Sequence, residues 1–363
     1  MHPFKTFRYF IMILYNKKSR EQLIKELEEE PFMRITFSFY RYVYLDHPQE
    51  FRDQLFVEWS ALQCKGRIYL AHEGINAQIS VPEQNLEAFL QGLQNHTELA
   101  NMPIKYAVED DGKSFFKLTL KVRPKIVADG LNDHAYDVTN VGLHLEPEEF
   151  HEHVAGGKAI VIDMRNHYES EIGRFENAFC PDADTFRQAI DLVVKEFEHK
   201  KDEKILLYCT GGIRCEKASA YLKHHGFNDV NQLHGGIIAY AHDIKQKGLH
   251  SKFVGKNFVF DQRLGETIDG QVIAHCHQCG ALCDTHTNCA NDDCHLLFIQ
   301  CPNCKVEYNG CCSNDCKEII ALPIEEQRKL RVLRHEKYAA SKIFKSRLRP
   351  HLMKALNEQT HPI

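Results

Sequence analysis

The sequence has no apolar run approaching the ~20 residues that a bilayer-spanning helix requires. It also has no surplus of positive charge and no internal repeat. The missing repeat argues against a solenoid. The most apolar stretch near the start, Phe7 to Tyr15, is interrupted by Arg8, lacks a small-residue cleavage site and runs into Lys17, Lys18 and Arg20. It reads as the first turns of an N-terminal helix rather than a membrane anchor or a signal peptide, so a cytoplasmic protein is expected. The formal net charge of -5 excludes a protein coated in positive charge, and a nucleic-acid partner would have to be held by local basic patches.

Cysteine, by contrast, is plentiful: fourteen in 363 residues, ten of them between Cys276 and Cys316. Cys209 and Cys215 flank a glycine loop. In a reducing compartment, thiols clustered in this way serve as metal ligands or catalytic groups more often than as disulfides.

The length is enough for two or three domains, each with its own core. Residues 1–33 form a helical leader. Across residues 34–123, strand and helix patterns follow the order βαββαβ. Arg34 to Leu45 alternates as a strand, His47 to Gln63 has helical period, and Gly66 to Ala71 and Ile75 to Val81 pair across the Glu73-Gly74 turn. Glu83 to Asn95 is a second helix, and Ile104 to Val108 and Phe115 to Val122 complete the sheet. This order predicts a ferredoxin-like α+β sandwich. Residues 124–142 read as a linker.

Residues 143–249 alternate short apolar strands (Ala159 to Asp163, Ile205 to Tyr208, Val230 to Leu233) with helices, one starting at Pro147, one capped by Thr185 and one closed by Gly226. That pattern is an α/β domain with a parallel sheet covered on both faces. Residues 250–322 form a Cys-rich module too polar to fold on apolar burial alone. Residues 323–363 form a basic tail carrying Arg328, Lys329, Arg331, Arg334, Lys337, Lys342, Lys345, Arg347, Arg349 and Lys354.

The element that decides the chemistry is the strand Ile205 to Tyr208, followed by Cys209-Thr210-Gly211-Gly212-Ile213-Arg214 and a helix. A glycine turn at a helix N-terminus aims backbone N–H groups inward, and a cysteine placed there has its pKa lowered toward the nucleophilic thiolate. Arg214 adds a permanent positive charge. The loop is one residue shorter than the tyrosine-phosphatase cradle, which suits a persulfide or a thiol adduct better than phosphate. A buried structural cysteine is the plain alternative. Cys215, inside the helix start, reads as a small buried residue more readily than as a resolving thiol. Asp163 and Arg165, just after a strand end, are expected to support the pocket at the carboxyl edge of the sheet without transferring protons.

Asp163-Met-Arg165-Asn166-His-Tyr168-Glu169, Gly173-Arg-Phe175-Glu-Asn-Ala178 and Leu233-His-Gly235-Gly236 resemble the rhodanese signature. A more specific resemblance runs from about Arg34 to Cys316. Its residues are Arg67-Ile-Tyr-Leu-Ala-His72-Glu73-Gly74-Ile-Asn76-Ala77, Lys113-Ser-Phe, Val127-Ala-Asp129-Gly130, Tyr208-Cys-Thr-Gly-Gly-Ile-Arg-Cys-Glu-Lys217 and Cys276-His-Gln-Cys279-Gly. These are similar to the oxygen-dependent tRNA uridine-34 hydroxylases. The resemblance implies conversion of the wobble uridine to 5-hydroxyuridine, with tRNA as partner, molecular oxygen as co-substrate and Cys209 as the reactive thiol. It implies no stable protein partner, and a further redox cofactor is left open. Sulfur transfer through a Cys209 persulfide and non-catalytic tRNA binding are the competing readings.

Cys276-x2-Cys279 and Cys301-x2-Cys304 are two metal knuckles that predict one structural zinc site. Cys289, Cys294, Cys311 and Cys316 are the expected ligands of a second. Free thiols, disulfides or an iron–sulfur cluster are the alternatives. Lys117, Lys121, Arg123 and Lys125 recur every two or four residues along a strand and its exit, on one sheet face, beside Phe115 and Phe116. They are candidates for tRNA contact, the alternative being an ordinary solvated face; the basic tail is a second candidate for phosphate contact. His72, Glu73 and Asn76 are expected to satisfy their turn rather than face a substrate.

Overall fold

A computed structural model describes residues 18–133 and 135–338. The leader helix expected over Phe7 to Tyr15 and the tail residues Lys342, Lys345, Arg347, Arg349 and Lys354 lie outside them. Two compact units divide the chain, the first ending at Ile126 and the second beginning at Val127.

In the first unit the helix α1 (Arg20–Glu28) is closed by a capping box in which the Ser19 side chain accepts from Gln22. There follow β1 (Arg34–Tyr42), α2 (Pro48–Ala61), β2 (Lys65–Ala71), β3 (Gly74–Pro82), α3 (Leu86–Gln94), β4 (Lys105–Tyr106) and β5 (Leu118–Val122). The sheet order is β4-β1-β3-β2-β5. β1 runs antiparallel to β3 and β4, and β2 antiparallel to β3 but parallel to β5. The first four strands in this order make the expected ferredoxin-like sandwich, and β5 extends its edge.

Alternation along β1 buries Phe37 and Phe39 against Trp59 of α2 and Phe89 of α3, which form the centre of the core. Gly74 makes the β2–β3 turn possible. Its φ is +141°, and a Cβ there would lie 2.0 Å from the Arg41 carbonyl oxygen. The last two strands are shorter than their sequence pattern. Residues around Asp110 and Gly112 fold into a turn in which Asp110 accepts from the Thr36 amide at 2.5 Å and Ser114 from the Thr36 hydroxyl at 2.9 Å. Side-chain acceptors that reach across the sheet in this way take the place of strand pairing.

In the second unit, β6 (Leu143–Leu145), α4 (Pro147–Gly156), β7 (Ile160–Asp163), α5 (His167–Ile172), β8 (Gly173–Phe175), α6 (Phe186–Glu196), β9 (Ile205–Tyr208), α7 (Ile213–His224), β10 (Val230–Leu233) and α8 (Gly236–Lys247) succeed one another. The sheet β6-β10-β9-β7 is wholly parallel. Its central strand β9 is buried at every residue because helices cover both faces. Phe186, Ile190 and Val193 of α6 pack with Ala218 and Leu222 of α7 on one side. Phe150, Ile237, Tyr240 and Ile244 of α4 and α8 pack on the other. Thr185 caps α6, its hydroxyl accepting from the Gln188 amide.

The stretch read as a linker contributes to this core. Val127 joins the α6–α7 side, and Asp129 is fully buried. Beyond α8, the strand β11 (Phe253–Asn257) pairs with β8 and with β12 (Glu266–Thr267). The remainder is a hairpin, β13 (His286–Asn288) with β14 (Leu297–Ile299), followed by the helices α9 (Pro302–Glu307), α10 (Asn314–Ala321) and α11 (Ile324–Tyr338). Among the described residues no helix is long and apolar enough to cross a membrane.

Candidate active site

Cys209 follows the last residue of β9, at the carboxyl edge of the parallel sheet, where the chain turns into α7. Gly212, with φ +98°, takes the left-handed conformation that opens the helix. Its N–H donates to the Cys209 sulfur at 3.1 Å.

The loop is fixed from its far side by the start of α8. The Ile237 N–H donates to the Cys209 carbonyl at 3.0 Å and the Ile238 N–H to the Thr210 carbonyl at 3.2 Å. Gly236 allows this approach, since a Cβ there would lie 2.6 Å from both carbonyl oxygens. The Leu233-His-Gly235-Gly236 segment is therefore a lock on the thiol loop.

Burial by itself would raise the Cys209 thiol, which is 1% exposed. A hydrogen bond from the Cys215 thiol, the charge of Arg214 and the backbone N–H groups of Arg214 and Cys215 outweigh it and bring the thiol down to about 6. Cys64, buried, and Cys180, half-buried, have no such cradle and are pushed up to about 12 by desolvation. Cys215 is itself held protonated, by burial first and then by its hydrogen bond to Cys209, as befits a donor to the thiolate.

Arg214 is less available than its place in the loop implies. Its guanidinium donates to both carboxylate oxygens of Glu169, at 2.5 and 2.9 Å, and to the Thr210 hydroxyl at 3.3 Å. It lies 5.9 Å from the centre of the Phe260 ring. It thus acts on the sulfur as a charge fixed by a forked ion pair. Glu169 is fully buried and also accepts the Asn166 N–H at 2.9 Å, closing the capping box of α5. Sequence reasoning gave Glu169 no role, although Asn166-x2-Glu169 carries the spacing of that box.

Asp163 and Arg165 pair side by side with both side chains fully buried. Arg165 donates to Asp163 at 2.7 Å and to the Gly173 carbonyl at 2.6 Å, with the Tyr208 ring 5.7 Å away. Asp163 faces Tyr208 in the β7–β9 register, one residue before Cys209. The pair braces the strand end from behind. Lys217, also unassigned from sequence, is buried on α7 with its ammonium 3.0 Å from Asp133 and 3.9 Å from Asp129, holding the stretch after Val127 against that helix.

The ten cysteines of the last module are all free, and eight of them gather in two groups of four, leaving out Cys283 and Cys311. Cys276, Cys279, Cys301 and Cys304 form the first, as their spacing predicts. The second is Cys289, Cys294, Cys312 and Cys316, with Cys312 in the position expected of Cys311. The carbonyl of Cys311 is held by the amides of Gln278 and Gln300, at 3.1 and 3.2 Å. The next residue then turns inward: the Cys312 N–H donates to the Cys289 sulfur at 3.5 Å, and its own sulfur lies 3.6 Å from Cys294 and 3.8 Å from Cys316. Four thiolates about 2.3 Å from a tetrahedral zinc stand about 3.8 Å apart. Both groups fit such an ion. Cys312→Ser is accordingly expected to lose one of two bound metal equivalents while Cys311→Ser retains both, as elemental analysis of the purified variants would show.

In the first unit, Lys117, Lys121 and Arg123 are exposed and Lys125 is half-buried. Leu118 and Leu120 of β5 turn toward the core, leaving Lys121 on the opposite face, where the Arg123 guanidinium lies 5.6 Å from the Tyr69 ring. Phe115 is buried, and Phe116 is half-buried with the Lys117 ammonium 5.7 Å from its ring. His72, Glu73 and Asn76, expected to satisfy their own turn, instead bond to segments outside it. His72 Nδ1 lies 2.8 Å from the Leu45 carbonyl, Glu73 accepts the Ile126 N–H at 2.7 Å, and Asn76 donates to the Ile126 carbonyl at 3.3 Å.

Three family descriptions match successive parts of the chain: an acylphosphatase-like domain of the UPF0176 type over residues 34–126, a rhodanese-like domain over 146–243 and a rhodanese C-terminal segment over 254–317. A protein of Leptospira interrogans named tRNA uridine(34) hydroxylase is 57% identical over 338 residues, covering 93% of this chain and 91% of its own. A protein of the same name from Cronobacter sakazakii is 53% identical, covering 92% of this chain and 95% of its own. Another, from Pectobacterium atrosepticum, is 50% identical and covers 88% and 90%.

Proposed function

Because this chain belongs to the tRNA uridine(34) hydroxylase family, we propose that its thiolate Cys209 starts the reaction and that molecular oxygen is the co-substrate. The reaction is hydroxylation of the wobble uridine of tRNA, an oxidation, in keeping with the family name. The observation that supports Cys209 is the cradle around its sulfur, where the Gly212 N–H stands at 3.1 Å beside the fixed charge of Arg214.

Carbon 5 of uracil becomes nucleophilic once a group has added to carbon 6. The thiolate forms the carbon 6–sulfur bond and the displaced π pair moves to oxygen 4, where donors stabilise the enolate. With the fork of Arg214 engaged by Glu169, the loop amides are the leading donors. Carbon 5 then takes one oxygen atom. Loss of its hydrogen as a proton expels the thiolate and restores the ring. The second oxygen atom leaves as water, taking two electrons and two protons from an external two-electron reductant such as a dithiol. A structural zinc held by each four-cysteine group would supply folding energy to the module and no step of this chemistry.

The exposed cations of β5 and its flanks would hold the substrate by its backbone, and a tRNA substrate supports a cytoplasmic site of action. Replacing Lys117, Lys121 and Arg123 together by alanine is expected to weaken tRNA binding and flatten its salt dependence by about 0.7 to 0.9 log units per lost phosphate contact. An unchanged slope in a filter-binding titration would remove this surface from the interface. The activity itself is tested by nucleoside mass spectrometry of tRNA incubated with the purified protein and a dithiol reductant, in air and under argon. Product in air alone supports the oxygen-dependent reaction. Transfer of labelled sulfur from thiosulfate with no hydroxylated nucleoside would favour a sulfurtransferase.

A further inference from the structure

The short helix α5 stands between the thiol loop and the first four-cysteine group and touches both. Toward the loop, Glu169 receives the Arg214 fork. Two residues on, Glu171 meets His277, whose Nε2 lies 3.0 Å from its carboxylate; the His277 side chain is 2% exposed and that of Glu171 13%. His277 sits between Cys276 and Cys279 in the first knuckle. Its Nδ1 accepts the Ile299 N–H at 3.4 Å, which leaves the ring proton on Nε2 to donate to Glu171. Tyr168 adds a second connection on the same helix, with ring centres 5.1 Å from Phe258 and 6.4 Å from His286. Phe260, two residues beyond Phe258, lies against Arg214. A displacement of the knuckle therefore reaches the charge beside the sulfur through one turn of helix.

We propose that Glu171 is a positioning residue that, through its hydrogen bond with His277, makes the geometry of the Cys209 loop depend on metal occupancy of the Cys276–Cys279–Cys301–Cys304 group. The inference rests on Cys209 being the reacting thiol. It adds that the metal module, otherwise a scaffold, sets how well Arg214 stabilises the thiolate. Glu171 acts on the thiol loop through the helix it shares with Glu169.

The test uses the full-length, metal-loaded protein and its Glu171→Ala and Glu171→Gln variants. The rate of iodoacetamide alkylation of Cys209 is followed against pH by peptide mass spectrometry. Trypsin cuts after Arg214, so Cys209 and Cys215 are read on separate peptides. Glu171→Ala is expected to raise the midpoint of the Cys209 profile by about one pH unit, a tenfold loss of thiolate below the midpoint. Its kcat should fall by about tenfold at pH values below the midpoint, with KM for tRNA unchanged. Glu171→Gln, whose amide oxygen accepts the same hydrogen bond, should restore both. Removing the metal from the wild-type protein with a chelator should produce the same upward shift, which decides the matter even where Glu171→Ala loses its metal. An unchanged Cys209 profile in the chelated wild type, or in metal-loaded Glu171→Ala, overturns the inference. Full activity of Cys209→Ser would instead overturn the assignment of the thiol, so the two failures are distinguishable.

Discussion

Replacing Cys209 by serine is expected to abolish 5-hydroxyuridine formation while leaving the fold and both metal groups in place. A serine hydroxyl is of nearly the same size and fits the same loop, but it stays protonated at neutral pH and does not add to carbon 6. The wild-type thiol, brought down to about 6, is about nine-tenths thiolate at pH 7 by simple titration. The rate under subsaturating tRNA should therefore rise as pH increases through about 6 and level off above it, because the deprotonated form is the reactive one.

Stability follows the same sign. A thiol whose folded pKa lies below its unfolded value of about 8.5 stabilises the fold most above that value. That contribution disappears as pH falls through the folded pKa, so Cys209→Ser should lose a stability difference from wild type that is larger at pH 8 than at pH 5. Hydroxylation by the serine variant at a rate within tenfold of wild type would remove the thiolate from the mechanism.

Replacing Arg214 by alanine is expected to have the second-largest effect, in both stability and rate. It leaves the fully buried Glu169 carboxylate without its forked partner, and breaking a buried pair from one side costs about 3–5 kcal/mol. It also removes the positive charge beside the sulfur. The Cys215 thiol and the loop N–H groups remain, so the thiol should move up only part of the way toward its ordinary value of about 8.5. A complete return would leave it about 3% ionised at pH 7, which sets about thirtyfold as the upper bound of the fall in rate there. Raising the pH should recover much of the loss, which separates loss of thiolate from loss of substrate binding. Glu169→Gln tests the pair from the other side. Its one amide oxygen accepts where the carboxylate offers two, so its NH2 group faces a donor of Arg214 or Asn166 and the variant should also lose stability. It keeps the positive charge of Arg214 beside the sulfur, however, and should lose less rate at pH 7 than Arg214→Ala. Chemical denaturation with the pH–rate profile of each variant checks both expectations.

The thiol loop is legible in the sequence because its parts are contiguous. Strand, cysteine, two glycines, arginine and helix follow one another, and the N–H groups, the Arg214 charge and the Cys215 thiol that surround the sulfur all lie within six residues of it. The first metal group is legible for the same reason, since each Cys-x2-Cys knuckle is a local unit. The choice between Cys311 and Cys312 is not local. It depends on the Gln278 and Gln300 amides, which reach the Cys311 carbonyl from elsewhere in the module.

Glu169 and Arg214 are 45 positions apart, and only the parallel sheet brings them together, so the engagement of the arginine is a tertiary fact. The same holds for Val127 and Asp129, in a stretch whose polar composition reads as a linker while its few apolar side chains pack into the second core. The ferredoxin-like order of the first unit is visible from alternation and turn residues alone. The shortness of β4 and β5 is not, because it arises where Asp110 and Ser114 bond to Thr36 across the sheet.

The most direct test of the central claim is exchange of the carbon 5 hydrogen of uridine 34 with solvent in the absence of oxygen. Addition of Cys209 to carbon 6 makes carbon 5 basic, so a protonation and deprotonation cycle without an oxidant should install deuterium there from heavy water. Wild-type protein should give this exchange at uridine 34, and Cys209→Ser should give none. Hydroxylation in air by a protein that gives no exchange, or equal exchange with and without the Cys209 sulfur, would contradict attack by the thiolate.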